Sequence, residues 1–288
     1  MKVKIIADSG CDLPKQILDN LQIEMMPLIV QADGEDYLDR KTIEPLQLYS
    51  KMRNGSATKT AQVSPLTIKE TLTTYAKQNI PVIYITLSSG LSGTFQTAVL
   101  MKNEVSEEFP DSSVAVFDSL GASLGYGLMV YEAALLAEKG ECFENILSML
   151  STFRENLQHI FTVDDLEYLF RGGRVSKTAA FMGSLLKIKP VLHMEDGKLF
   201  PLEKVRGRKK AFARMLELMK ERTGDTSNMT LAISHGDDIE SANVLKEMII
   251  KEFHTNEIII NMIGGAIGAH AGPGTVALFF LEKPVRTS

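Results

Sequence analysis

A serine- and glycine-rich segment at residues 88–94, Ser-Ser-Gly-Leu-Ser-Gly-Thr, has the residue types best suited to chemistry in this chain. It follows an apolar run typical of a buried strand and precedes a helical pattern. This places it at the carboxyl end of a sheet, where open α/β folds bind ligands. Glycines permit a tight turn, and free N–H groups at a helix start attract anions. The segment therefore predicts either an anion site that includes the Ser92 hydroxyl or a helix cap without a ligand.

Two familiar uses of such a segment are excluded by its spacing. A phosphate-binding P-loop ends in Gly-Lys-Ser/Thr, and this segment has no lysine. A hydrolase nucleophile elbow has the pattern Gly-x-Ser-x-Gly, whereas the residue two positions after Ser92 is Thr94. A serine hydrolase or transferase with widely separated catalytic residues stays open as an alternative, with Ser92 as nucleophile and His270 as base.

His270 is the strongest candidate for a functional role among the five histidines. It stands in the glycine-rich segment 264–274, which we predict to be a loop that follows a strand. A histidine there either contacts a ligand or makes an ordinary structural hydrogen bond. The histidines show no spacing typical of metal ligands, so no metal site is predicted.

Basic residues cluster in two places in the second half of the sequence. Arg171, Arg174 and Lys177 flank the Gly172-Gly173 pair, and five more basic residues occupy positions 204–210. Such clusters are commonly solvated, but arginine also binds phosphate through two parallel hydrogen bonds. Because the two glycines break a helical pattern, we expect the Arg174 side chain to be exposed for an anion or a partner.

The first half of the sequence alternates strands and helices. Apolar runs predict strands at KVKIIADS, PVIYITL and SVAVFDS, and Asp33-Gly34 predicts a hairpin. Helices are predicted from Pro65, at FQTAVLMKNEVSEEF, and at LMVYEAALLAEKG up to Gly140. This alternation predicts a three-layer α/β/α domain with a mainly parallel sheet, which we place at residues 1–153.

The second half has a different pattern. A strand at QHIFTVD and two short helices separated by Gly172-Gly173 precede the strands KPVLHME and KLFPLEKVR, which flank the hairpin signal Asp196-Gly197. A basic helix, the strand MTLAISH, the helix DIESANVLKEMIIKEF and the strands EIIINMI and TVALFFLEK complete the chain. We therefore predict an α/β domain with a mixed sheet over residues 154–288.

The composition is that of an ordinary globular protein. Of the 288 residues, 44% are hydrophobic and 23% are charged, which is typical of soluble chains. The net charge of −5 leaves no basic excess to neutralise phosphates, so nucleic acid is not a predicted partner. Cys11 and Cys142 have no redox or metal spacing, which fits a reducing cytoplasm. No signal peptide is predicted, and the longest mostly apolar run, 258–269, is too short for a transmembrane segment.

Nine motifs, in order along the chain, resemble the DegV family. They are IIADSGCDLP, TKTAQVS, SSGLSGTFQTA, VFDS, LEYLFRGGRVS, LLKIKPVL, DG, RGRKKA and IGAHAGPG, and the match as a whole runs from about Val3 to Leu281. Characterised members of that family are the fatty-acid-binding subunits of bacterial fatty acid kinase. The resemblance implies two α/β domains with a long-chain fatty acid, such as palmitate, in an apolar tunnel and its carboxylate at the domain cleft.

The resemblance also implies roles for individual residues. Thr60, the Ser92-Gly93 turn and the nearby His270 match family positions that bind the carboxylate. Arg174 and Arg206 match arginines linked to phosphoryl transfer with the kinase. The chain departs from the common family pattern T-S-Q-P-S, since it has T-A-Q-V-S at residues 60–64, and this change affects the shape of that loop.

The sequence thus predicts a lipid-binding protein that has no catalytic activity of its own and no cofactor. Each buried methylene contributes about 0.8 kcal/mol, so an acyl chain of about fifteen contributes on the order of 12 kcal/mol before ordering costs. Because no nucleotide-binding motif is present, ATP is expected to come with a separate kinase subunit. Besides the hydrolase, the remaining alternative is a sensor of small anions that uses the same helix start without a lipid.

Overall fold

A computed structural model of the chain describes residues 2–176, 188–255 and 257–283. The strands in these ranges are β1 (Lys4–Asp8), β2 (Glu24–Met26), β3 (Ile29–Ala32), β4 (Glu35–Leu38), β5 (Thr58–Ala61), β6 (Val82–Thr86), β7 (Val114–Asp118), β8 (Leu157–Thr162), β9 (Ile188–Glu195), β10 (Lys198–Arg206), β11 (Thr230–His235), β12 (Glu257–Met262) and β13 (Val276–Leu281). The helices are α1 (Lys15–Asn20), α2 (Pro45–Arg53), α3 (Pro65–Lys77), α4 (Thr94–Glu108), α5 (Ser123–Glu138), α6 (Phe143–Asn156), α7 (Glu167–Arg171), α8 (Arg208–Arg222), α9 (Ile239–Glu252) and α10 (Gly265–Ala271).

The first half contains the predicted parallel sheet. Its strand order is β2-β1-β6-β7, and every neighbouring pair is parallel. All five residues of β6 are buried, as expected for a strand covered on both faces. Helix α4 packs against β7, and α5 packs against β1. The predicted α/β class of this half is confirmed.

The second half contains the predicted mixed sheet. Its order is β10-β9-β8-β13-β11-β12, in which only the β11–β12 pair is parallel. Strands β9 and β10 form the hairpin predicted at Asp196-Gly197, and both turn residues have positive φ. The boundary predicted between residues 153 and 154 falls within the last turn of α6 and stays a prediction.

Helix α5 lies between the two sheets, since it contacts β1 on one side and β11 and β13 on the other. It is apolar around most of its circumference, which is typical of a fully buried helix. It begins at Ser123, five residues before the predicted start. A Cβ on Gly125 would clash with His159 and Phe279, so glycine at this position allows α5 to pack closely against these side chains.

A third, antiparallel sheet of order β4-β3-β5 lies next to these two. Its hairpin at Asp33-Gly34 agrees with the prediction, and both turn residues have positive φ. The sequence did not indicate β5, which pairs with β3 and carries Thr60 opposite Val30. Helices α2 and α6 were not predicted either.

The loop predicted around His270 is wrong, because this residue lies on helix α10. The helix is built from glycine and alanine around Ile267, so it has no apolar periodicity that could reveal it. A Cβ on Gly268 would lie 2.5 Å from the Tyr49 hydroxyl, which explains why a poor helix former stands there.

One predicted element lies outside the described residues. The second short helix after Gly172-Gly173 falls on residues 177–187, together with Lys177 of the first basic cluster. Within the described ranges, no helix has both the length and the apolar character needed to cross a membrane.

Candidate functional site

A cavity of about 280 Å³ lies where the three sheets meet. Its walls are mostly apolar side chains from elements of both halves, including Leu28, Leu87 and Leu199. Such a cavity is close to the lower end of the usual range of small-molecule sites, about 300–1,000 Å³. Two regions of the wall differ in exposure.

The first region, the mouth, is partly exposed and polar, and it comprises Thr60, Ser92, Gly93, Arg174 and His270. The second region, the interior, is buried and comprises His159, Phe161, Ala277 and Phe279. The structure therefore brings five of the six site residues predicted from the sequence to one place. The sixth, Arg206, is the exposed last residue of β10 and does not line the cavity.

Thr60 and His270 form a hydrogen-bonded pair at the mouth, with 2.7 Å between Oγ1 and Nε2. The His270 Nδ1 atom is buried against Gly172 and has no hydrogen-bond partner. A buried N–H without a partner is rarer than an unpaired acceptor, which favours the proton on Nε2. Nε2–H then donates to Thr60 Oγ1. The Thr60 hydroxyl hydrogen is left to donate to a ligand.

His270 is neutral at physiological pH. Burial lowers its pKa to about 4, and the positive charges of Arg174 and Arg171 act in the same direction. The two arginines therefore lie close enough to influence the mouth electrostatically. A carboxylate placed there would be attracted by the same positive charges that disfavour a protonated imidazole.

The Ser92-Gly93 turn forms the opposite side of the mouth, directly before α4. Ser92 Oγ accepts the Thr94 N–H at 3.2 Å and lies 2.9 Å from Thr94 Oγ1. Thr94 Oγ1 accepts a long hydrogen bond, 3.4 Å, from the Val63 N–H. If the Thr94 hydroxyl donates to Ser92, the Ser92 hydroxyl keeps its hydrogen for a ligand.

Position 93 requires glycine because the Gln62 side chain approaches the backbone closely there. A Cβ there would lie 2.6 Å from Gln62 Oε1, so no other residue fits without movement of Gln62. Ala61 and Gln62 line the cavity beside it. Where the family pattern has proline, Val63 donates its N–H to Thr94, a bond that proline cannot make.

Arg174 is not as exposed as the sequence suggested. Helix α7 ends at Arg171 as predicted, but the Arg174 side chain folds back and is half-buried. Its Nε and Nη2 both donate to the Leu91 carbonyl, at 3.1 and 2.9 Å, and Nη1 donates to the Gly172 carbonyl at 2.6 Å. Arg174 thus links the second half of the chain to the Ser92 loop, which comprises residues 87–93 between β6 and α4.

The Ser92 loop is held in place by two carboxylates, of which Asp8 is buried and Asp118 is partly buried. Asp8 Oδ2 accepts the Leu87 N–H at 2.7 Å, and Asp118 Oδ1 accepts the Ser89 N–H at 3.1 Å. Ser88 Oγ donates to the carbonyl of Gly197, in the β9–β10 turn, at 2.7 Å. The motifs IIADSGCD and VFDS therefore contribute the carboxylates that fix this loop.

The interior was missed at the sequence level. His159 is fully buried, its Nε2 accepts the Ala122 N–H at 3.1 Å, and its ring meets Phe279 edge-on. Burial lowers its pKa to about 3, so this imidazole is also neutral. Strand periodicity places His159, Phe161 and Phe279 on strands, but it does not reveal which of them face a cavity.

The arrangement does not resemble a hydrolase triad. No hydrogen bond joins Ser92 to His270 in the described residues, since Ser92 is engaged with Thr94 and His270 with Thr60. No carboxylate orients the His270 Nδ1 atom, which has no partner. Among the described residues, no group of three or more His, Cys, Asp or Glu side chains could hold a metal ion.

Known proteins with similar sequences and structures share this architecture. A DegV domain-containing protein of Clostridium perfringens is 38% identical over 283 residues, covering 97% of each chain. The structure of a fatty-acid-binding DegV family protein from Thermus thermophilus superposes with a TM-score of 0.89 at 32% identity, covering 98% of this chain and 99% of that one.

A second solved structure, of a Thermotoga maritima protein found to bind fatty acid, has a TM-score of 0.86 at 34% identity. It covers 98% of this chain and 99% of its own. The sequence model of the DegV family, described as "Uncharacterised protein, DegV family", matches residues 2–283. With nearly the whole length matched in sequence and in fold, this chain belongs to the DegV family.

Proposed function

We propose that this protein binds one long-chain fatty acid, with the acyl chain in the cavity and the carboxylate at the mouth, and presents that carboxylate to a separate ATP-dependent kinase. The observation that carries the proposal is the division of one cavity into a polar mouth and a buried interior. A fatty acid is divided in the same way, into an anionic head and an apolar chain.

The mouth supplies what a buried carboxylate requires. The hydroxyl hydrogens of Thr60 and Ser92 are available to a ligand. Each hydroxyl oxygen can accept a hydrogen bond from its protein partner, His270 for Thr60 and Thr94 for Ser92, without using its own hydrogen. Hydrogen bonds of this kind offset the desolvation of the charge, which would otherwise be prohibitive. Arg174 and Arg171 add a favourable potential. The site therefore suits an anion with an apolar tail better than a small anion alone.

The relatives support the acyl chain as occupant. The Thermus thermophilus and Thermotoga maritima proteins are both fatty-acid-binding proteins, and each matches this chain over 98% of its length. A carboxylate is a poor acyl donor because its oxygen is a poor leaving group. Phosphorylation by ATP, with release of ADP, converts it to an acyl phosphate from which phosphate can leave.

A separate kinase subunit is supported by two features of the chain. The sequence has no Gly-Lys-Ser/Thr phosphate-binding motif. Arg174 stands at the mouth with a guanidinium suited to phosphate oxygens. Because Cys11 and Cys142 are both free thiols, the proposal places the protein in the cytoplasm, where ATP and a kinase are available.

Lipid extraction tests the binding part of the proposal. Protein purified from bacteria is denatured, extracted with organic solvent and analysed by mass spectrometry, and one long-chain fatty acid per chain is expected. After delipidation, palmitate should bind with a one-to-one stoichiometry in isothermal titration calorimetry. Absence of both the extracted lipid and palmitate binding, in a protein that still binds acetate or phosphate, would indicate a small-anion sensor instead.

Reconstitution tests the presentation part. The palmitate-loaded protein, ATP and the cognate kinase are mixed, and the acyl phosphate is trapped with hydroxylamine as a hydroxamate. Product is expected only when all three are present. Palmitate binding without any product would limit the function to lipid binding, whereas ester hydrolysis by the protein alone would favour the serine hydrolase.

A further inference from the structure

Helix α10 carries His270 near its end, yet it has only seven residues, Gly265–Ala271. Isolated helices of this length do not hold their own conformation in water. The direction of α10, and with it the position of the imidazole, therefore depends on its surroundings. These are α2, α7, β3 and β5, against which it packs, and the groups that bind its first turn.

Two buried carboxylates bind that first turn. Asp12 Oδ1 accepts the Gly264 N–H at 2.7 Å, and Asp39 Oδ1 accepts the Gly265 N–H at 2.8 Å. These backbone groups have no partner within the helix, and negative charge near a helix N-terminus is favourable. Both carboxylates are fully buried.

The carboxylates are themselves held in place. Ser9 Oγ donates to Asp39 Oδ2 at 2.8 Å, and Ser123 Oγ donates to Asp12 Oδ2 at 2.5 Å. Arg40 Nη2 donates to Asp12 Oδ1 at 3.1 Å, and its charge offsets part of the buried negative charge. A fixed acceptor at each N–H fixes the start of the helix.

The contact between this cluster and α10 is close. A Cβ on Gly264 would lie 2.8 Å from Asp12 Oδ1, and a Cβ on Gly265 would lie 2.8 Å from Asp39 Oδ1. Glycine at both positions lets the carboxylates reach the backbone. His270 follows the anchored Gly265 by about one and a half helical turns. A change of helix direction at the anchor would therefore displace the imidazole from Thr60.

We propose that Asp12 and Asp39 are positioning residues for the carboxylate site, acting through α10 to hold His270 against Thr60. Neither carboxylate lines the cavity, so neither contacts the ligand. The inference rests on the proposed function, because it takes the fatty-acid carboxylate to lie at Thr60 and His270. It gives the buried Asp12, which follows β1, and the buried Asp39, which follows β4, a role that lipid contact does not explain.

Two substitutions at one position test this. Asp39→Ala removes the acceptor for the first turn, whereas Asp39→Asn keeps an oxygen at the same place. In the ligand-free protein, the ring nitrogen NMR signals of His270, assigned by their loss in His270→Ala, should shift in Asp39→Ala and return towards wild type in Asp39→Asn. Palmitate affinity, measured by calorimetry on delipidated protein, should fall about tenfold in the Ala variant and by no more than about threefold in the Asn variant.

Leu245→Ala is the matched control for stability. Leu245 is fully buried on α9, which packs against β11 and β12, and it does not line the cavity. This variant should lower the melting temperature without moving the His270 signals or the palmitate affinity. If Asp39→Ala does not fold, Ser9→Ala should produce the same shift to a smaller degree, because it removes the hydroxyl that donates to Asp39 and accepts the Leu28 N–H but keeps the Asp39 carboxylate.

The outcomes separate this inference from the proposed function. Unchanged His270 signals in Asp39→Ala, or in Ser9→Ala where the first does not fold, overturn the positioning role. A loss of signal and affinity that Asp39→Asn does not restore also overturns it. If His270→Ala and Thr60→Val leave palmitate affinity unchanged, the carboxylate lies elsewhere and the proposed site is wrong. In that case a shift of the His270 signals in ligand-free Asp39→Ala still supports the anchoring of α10.

Discussion

The mouth and the interior of the cavity each contain a neutral histidine, but the two imidazoles are used differently. His270 pairs with Thr60, and this pairing leaves a hydroxyl hydrogen free at the mouth. His159 accepts a backbone N–H from Ala122 and packs edge-on against Phe279. The first pair can still serve a ligand, whereas the second histidine is engaged with the protein itself.

The difference shows how one wall can bind the two ends of an amphipathic ligand. Polar side chains at the mouth keep unused hydrogen-bonding capacity. They lie on β5, on α10 and in the Ser92 loop, which are far apart in the sequence. The interior comes mainly from adjacent strands β8 and β13 of one sheet. Binding of the head group therefore depends on the relative positions of elements that are distant in sequence. Binding of the acyl chain depends on the volume that the side chains of β8 and β13 leave free.

The largest effect on palmitate affinity is expected from a larger side chain that fills part of the interior. Ala277 lies opposite Phe161 on the neighbouring strand, so both face the cavity. Ala277→Phe should exclude about four methylenes of the acyl chain at about 0.8 kcal/mol each, which lowers palmitate affinity about 200-fold. Calorimetry on delipidated protein measures this loss.

A shorter acid provides the control for Ala277→Phe. Octanoate, whose chain does not reach the filled region, should bind the variant and the wild type with similar affinity. Ala277→Val should give an intermediate loss for palmitate. If palmitate affinity is unchanged in a folded Ala277→Phe protein, the acyl chain does not occupy the interior, and the comparison between the two regions fails.

At the mouth, loss of a single hydroxyl should have a smaller effect. Ser92→Ala and Thr60→Val each remove one hydrogen bond to the carboxylate, worth about 1.5–3 kcal/mol, so palmitate affinity should fall roughly tenfold or more. The expected loss should be the same for octanoate, because the head group is common to both. Ser89→Ala is the matched control, since Ser89 stands in the same loop but does not line the cavity. Equal losses in Ser89→Ala would show that loop folding, and not carboxylate contact, is being measured.

Much of the fold could be predicted because apolar runs and turn residues act locally. The strands β1, β6 and β7, the helix from Pro65 and the hairpin at Asp196-Gly197 all follow from such signals. Helix α10 could not be predicted, since its glycines reflect close contact with Tyr49 and buried carboxylates far away in sequence. Only the folded chain brings these groups together.

The site residues likewise divide into those that the sequence indicates and those that only the folded chain reveals. Thr60, Ser92, Gly93, His270 and Arg174 stand in motifs that resemble a known family, and the structure gathers them at the mouth. The interior residues are ordinary strand residues whose neighbours across the sheet decide their surroundings. Arg206 stays a prediction for partner contact, because it is exposed and apart from the cavity.

Arg174 tests whether the mouth also serves transfer. The three hydrogen bonds of Arg174 go to the carbonyls of Leu91 and Gly172 and not to the hydroxyls of Thr60 or Ser92, so Arg174→Ala should lower palmitate affinity by no more than about threefold. Formation of the acyl phosphate with the cognate kinase should fall about tenfold, because the guanidinium that would stabilise the transferred phosphoryl group is lost. Arg206→Ala should reduce transfer alone, and Lys209→Ala, in the same basic segment, should change neither quantity. A loss of lipid binding as large as the loss of transfer would assign Arg174 to the carboxylate instead.

The smallest effect is expected in the pH dependence of stability that arises from His159 in the interior. The pKa of His159 is about 3 in the folded protein, against about 6.5 in an unfolded chain. Between these values the unfolded chain binds a proton that the folded protein does not, so the contribution of His159 to stability is complete above pH 6.5 and is lost as the pH falls. At pH 5.5 the loss is about 1.4 kcal/mol in the free energy of unfolding. Asp8 and Asp12, whose burial raises each pKa to about 6, titrate nearby with the opposite sign.

A difference measurement isolates the histidine from these carboxyls. His159→Gln keeps a side-chain oxygen that can accept the Ala122 N–H but removes the titrating group. Urea unfolding of both proteins at pH 7.5 and pH 5.5 should show that the wild type loses about 1.4 kcal/mol more than the variant between the two values, since the other groups cancel. His270→Gln should cancel nearly as much of the pH dependence over this range, because its pKa of about 4 also lies well below pH 5.5. Equal pH dependence in wild type and His159→Gln would mean that His159 accepts a proton in the folded protein. The interior would then not differ from the mouth in the way proposed, as a buried region whose histidine is neutral and engaged with the protein itself.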